Sequence, residues 1–137
     1  MNRITILSVF LWLTATGAQA SSFTPVLRCH ALNAGPDHGL EVNIDSYQGP
    51  PMSRPRLNTL TATILEETIA GAREVASYPV KQNQSPAIGA PRFYLGRDFS
   101  LEVMVDTAPI PGGIRSHVTA EANGRRISED LVCSFAP

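Results

Sequence analysis

Residues 114–135 read "IRSHVTAEANGRRISEDLVCSF", and the reading of this stretch decides the fold. At its centre stands Asn123-Gly124, the dipeptide best suited to a two-residue hairpin turn because both positions tolerate positive φ. Before the turn, Ile114, Val118, Ala120 and Ala122 alternate with Arg115, His117, Thr119 and Glu121. Period two of this kind marks a half-buried strand. After the turn the apolar set is Ile127, Leu131, Cys133 and Phe135, interrupted by Glu129. That carboxylate requires either a bulge that resets the register or a place at the sheet margin.

Cys133 thus points into the core. Cys29, in phase with Leu27 and Ala31, does the same from the other end of the chain. With only two cysteines present, one intramolecular pairing is available, Cys29–Cys133. A redox-active pair would show Cys-x-x-Cys spacing, which is absent, and free buried thiols are the other alternative. A bond here joins the first strand to the last and brings the termini side by side. Terminal strands that meet belong to a closed barrel or a sandwich.

Working outward, "LEVNID" (40–45) sets Leu40, Val42 and Ile44 against Glu41, Asn43 and Asp45, and "DFSLEVMVD" (98–106) puts Phe99, Leu101, Val103 and Val105 on one face. The segment from 57 to 80 is the most ambiguous. Leu60, Ile64, Leu65, Ile69 and Ala72 also fit a helical stripe, but Thr59, Thr61, Thr63 and Thr68 favour a strand and Gly71 interrupts a helix. The expectation is a hairpin turning near Ala70-Gly71, with a helix over 58–76 as the competing reading. Proline and glycine gather at 33–39, 47–56, 85–92 and 107–113, which read as loops. The fold class expected is therefore all-β: one antiparallel sandwich or small barrel of about eight strands, its N- and C-terminal strands linked by a disulfide.

The first twenty residues read as a cleaved secretory leader. Arg3 supplies the basic region, "ITILSVFLWLTAT" (4–16) the apolar core, and Ala18-Gln19-Ala20 the cleavage site. Residues 21–137 then form a single domain, exported to a periplasm or to the medium, where disulfides persist. Without Arg3 that domain carries 10 basic and 12 acidic side chains, a net charge of −2. No long-range field attracts nucleic acid or an anionic membrane, and no stable membrane anchor is expected after cleavage.

Motifs for chemistry are absent. There is no Gly-x-Ser-x-Gly, no His-Glu-x-x-His and no phosphate loop. His38 reads as a turn residue, while His30 and His117 lie on polar strand faces, about 9–10 Å apart if the last strand separates them. No metal, cofactor or catalytic residue is assigned, which leaves enzymatic activity undecided and leans against it. Glu66-Glu67 and Glu129-Asp130 are adjacent pairs whose members face opposite ways in a strand. The arginines are more suggestive: Arg54, Arg56, Arg92, Arg97, Arg125 and Arg126 form an anion-binding rim if their loops share one end of the sheet. The function expected is an exported, monomeric binding module for a protein or small molecule, of the kind that inhibits a secreted protein. It would present loops 47–56, 85–92 and 107–114. An envelope enzyme with an unrecognised site and a structural subunit of a surface assembly are the alternatives.

Overall fold

Alternating apolar and polar residues fold into eight antiparallel strands: β1 (Ser22–Ala31), β2 (Gly39–Gln48), β3 (Asn58–Thr68), β4 (Gly71–Gln84), β5 (Arg92–Gly96), β6 (Phe99–Val103), β7 (Ile114–Ala122) and β8 (Arg125–Phe135). They come from a computed structural model that describes residues 22–33, 39–48, 58–84, 87–105 and 108–137. The leader and cleavage site expected at 1–20 lie outside the described residues. Each strand pairs with the next and β8 returns to β1, which closes a barrel. Of the two architectures expected, the barrel is the one formed.

The inward faces follow the sequence phase. Leu27, Cys29, Val42, Ile44, Ala62, Ile64, Leu101, Val103, Val118, Leu131 and Cys133 are completely or almost completely buried. Their neighbours Glu41, Asn43, Thr61, Thr63, Glu102, His117 and Thr119 point outward. A membrane-spanning barrel needs the reverse, an apolar outer band; this one is filled with aliphatic side chains and is polar outside. The 57–80 segment forms the β3–β4 hairpin, with its turn at Ile69-Ala70 and Gly71 at φ +114°. The helical reading fails because Thr61 and Thr63 pair with Pro79 and Ser77 of β4 while Ala62 and Ile64 enter the core.

Asn123 and Gly124 take φ of 53° and 73°, the double positive of a type I′ turn. The β7–β8 register runs without a shift from Ala122↔Arg125 to Ile114↔Cys133. No bulge therefore resets Glu129, and it stands at the margin, where β8 extends beyond the end of β1.

Cys29 and Cys133 are direct cross-strand partners on the β1–β8 seam, bonded, with Cα atoms 4.0 Å apart. Strand alternation sorts the connections by end. The β1–β2, β3–β4, β5–β6 and β7–β8 connections lie at one end, the turn end. Those joining β2–β3, β4–β5 and β6–β7 lie at the other, the loop end, together with the start of β1 and the finish of β8.

Candidate functional site

The strand ends that flank the three proline-rich connections, 49–57, 85–91 and 104–113, all lie at the loop end, while residues 49–57, 85–86 and 106–107 themselves are outside the described residues. Apolar side chains stand around them. Phe23, 63% exposed, packs its ring 5.2 Å from Tyr47, its cross-strand partner. Ile88 is fully exposed and Phe135 partly so. Ile110 is half-buried and exchanges backbone hydrogen bonds with Gly113 at 2.9 and 3.0 Å. Arg92 shares the phase of buried Tyr94 and so points into the barrel mouth, its guanidinium 5.0 Å from the centroid of the Phe135 ring. Such a cation–π contact holds the charge over an apolar partner, while the Arg92 Nε is buried with no hydrogen-bond partner among the described residues.

The candidate anion-binding arginines divide between the two ends. Arg92 opens β5 at the loop end, and Arg97 follows that strand in the β5–β6 turn. Arg125 and Arg126 share the turn end with Arg97. Arg54 and Arg56 lie outside the described residues. Arg125 is not a free cation, for it pairs with Glu66, whose other oxygen lies 3.5 Å from Arg73. This network links β3 and β4 to β8 across the mouth of the barrel. Glu66 and Glu67 do face opposite ways: Glu66 turns inward to those arginines and Glu67 lies exposed.

Among the described residues a cleft lies at the turn end, near the start of β2 and the start of β8. It has a volume of about 470 Å³ and is lined in part by Ala31, Gly39, Leu40, Glu66, Arg125 and Glu129.

On the outer wall, β7 and β8 assemble three polar groups from different strand positions. His117 Nδ1 lies 2.8 Å from Asp130 Oδ1, and His117 Nε2 lies 3.1 Å from Ser128 Oγ. With the ring proton on Nδ1 donated to the carboxylate, Nε2 accepts from the serine hydroxyl. This is the connectivity of a nucleophile, a base and its orienting acid. It sits on an exposed wall, with 44% of the His117 side chain and 64% of the Asp130 side chain open to solvent. No contiguous motif marks it, because the three residues are not adjacent in sequence.

The chain matches no family model, no curated protein and no solved structure.

What the arrangement can do must therefore be read from the groups themselves. Among the described residues no three His, Cys, Asp or Glu side chains converge on a possible metal position. His30 pairs with Val132 and His117 with Asp130, so β8 separates the two histidines. His38 lies outside the described residues. Burial first, then Asp98 and Glu121, raise the pKa of Tyr78 above 10.0. Its hydroxyl donates to the Glu121 carbonyl at 2.6 Å and its ring stacks on Phe99. That is a packed core tyrosine with a satisfied hydroxyl, placed where β4 meets the β5–β6 and β7–β8 turns.

Proposed function

We propose that this chain is a small exported binding module that presents the loop end of its barrel to a partner protein, as an inhibitor of a secreted protein would. One observation supports the reading: the closed up-and-down topology sets the strand ends that flank all three proline-rich connections at the same end, near exposed Phe23 and Ile88. Loops held on a rigid strand framework lose less freedom on binding than free segments do. Export is supported by the leader pattern at 1–20, and the Cys29–Cys133 bond is compatible with an oxidising compartment. The test is affinity capture from envelope or culture fluid with residues 21–137, run beside a Phe23→Ser/Ile88→Ser variant. A specific partner lost with the variant supports the reading. No specific partner, or equal capture by both, removes it.

A second reading, an enzyme, is supported by the Asp130–His117–Ser128 relay. In it the Ser128 oxygen attacks an activated ester and passes its proton to His117 Nε2. The departing alkoxide takes that proton and leaves an acyl-serine, which water then hydrolyses. Labelling by a fluorophosphonate probe decides the matter: no labelling of the wild type above Ser128→Ala ends this reading.

A further inference from the structure

No external thiol or disulfide reaches the bridge in the closed barrel. Cys29 and Cys133 are both 0% exposed. Val42 flanks them from β2 and Ile114 from β7 in one inward row. The β1–β8 ladder runs without a shift from Leu27↔Phe135 to Ala31↔Leu131. Beyond its two ends, Leu32 N–H donates to the Asp130 carbonyl at 2.9 Å and Ala136 N–H to the Val26 carbonyl at 3.0 Å. Thiol–disulfide exchange requires access to the sulfur under attack. The bond is therefore made while β1 and β8 are still apart.

In that open chain each thiol is governed by its neighbours in sequence, and these differ in sign. Arg28 directly precedes Cys29 and His30 follows it, with no carboxylate between Ser22 and Pro36. Cys133 has Val132 and Ser134 beside it, and Glu129 and Asp130 come shortly before. A cation next to a thiol favours the thiolate, which is the attacking form, and a nearby carboxylate disfavours it. After closure the influence of Arg28 ends. Its side chain turns outward to Asp45 at 2.7 Å, while the Cys29 sulfur turns inward.

We propose that Cys29 is the site at which an external disulfide enters the chain, and that Cys133 resolves the mixed disulfide before the barrel closes over the bridge. The Cys29 thiolate attacks one sulfur of the external disulfide, and the other sulfur leaves as a thiolate that takes up a proton. The Cys133 thiolate then attacks the Cys29 sulfur, forms the bridge and expels the second half of the reagent as a thiol. Two electrons pass from the protein thiols to the reagent, whose two released thiols carry the two protons. Closure of the seam seals the product. The inference is independent of the loop-end and relay readings, because it uses neither surface.

The test begins with reduced residues 21–137 in urea, where folding of the variants does not matter. The probe is hydroxyethyl disulfide, which is uncharged and so is not steered by Arg28 or Asp130. Mixed-disulfide formation, read by mass spectrometry after acid quenching, is expected to be about threefold faster in Cys133→Ser than in Cys29→Ser. In the wild type the first adduct should map to Cys29 and convert to the bridge as the urea is diluted. Equal or reversed rates, or a first adduct on Cys133, overturn the proposal. Sealing is read with dithiothreitol on the oxidised chain, expected to act at least about a hundredfold more slowly without urea than with it. Equal rates there overturn the proposal too. The full-length Cys133→Ser chain, alkylated as it is recovered from exporting cells, should carry an adduct on Cys29 whose mass tells a small thiol from a protein. A free Cys29 thiol in that sample also overturns it.

Discussion

His117 stands directly across the β7–β8 ladder from Asp130, with 2.8 Å between Nδ1 and Oδ1. The pairing follows from the turn. Asn123-Gly124 joins Ala122 to Arg125, and each step back along β7 is matched by one step forward along β8 until His117 meets Asp130.

Gly124→Ala is accordingly expected to lower stability by about 1 kcal/mol, since the new side chain must occupy φ +73°. A urea melt measures the loss. An unchanged midpoint would mean that the turn does not hold this geometry.

Removing the disulfide should have a larger effect. The bond closes a loop across a sequence separation of 104, and the chain-entropy account values a loop of that size at about 4.7 kcal/mol. Cys29→Ser/Cys133→Ser is expected to lose about 3–5 kcal/mol in denaturant unfolding. A loss below about 1 kcal/mol would show that β1 and β8 are held together by their ladder alone.

How much of this was legible beforehand depends on range. Local alternation placed Val42, Ile44, Leu101 and Cys133 inward, because strand phase is a two-residue property. Ser116 was missed: it is polar, yet 1% exposed, with its hydroxyl donated to the Ile114 carbonyl at 3.2 Å. Closure was not legible, since barrel and sandwich differ in how β1 meets β8 after eight registers have accumulated. The division of the arginines was hidden for a related reason. Arg92 and Arg97 are near in sequence, but β5 carries the chain from one end to the other between them. The His117–Asp130–Ser128 relay, by contrast, was within reach by counting from Asn123-Gly124.

Tyr78 supplies a pH dependence. Burial, Asp98 and Glu121 raise its pKa above 10.0 in the folded chain, so the unfolded chain releases this proton first. The stability contribution is complete below pH 10.0 and declines as pH rises above it toward the folded value. Tyr78→Phe is expected to flatten that part of the stability profile, read by thermal melts between pH 8 and 11. An unaltered profile would refute the assignment.

Tyr94 offers the opposite case, a completely buried hydroxyl with no hydrogen-bond partner among the described residues. An unsatisfied buried polar group costs about 1–3 kcal/mol. Tyr94→Phe is therefore expected to leave stability unchanged or to raise it by about 1 kcal/mol. A clear loss in chemical denaturation would reveal a partner for the hydroxyl.

The position of the sulfur bridge has a further consequence for survival among proteases. Every connecting loop falls between the two bridged residues, so one nick in any of them leaves both fragments tethered as a single covalent species. A nicked molecule would run as one band on a non-reducing gel and fall into two only after thiol treatment. A chain built this way can be scarred at its exposed tips without being dismantled.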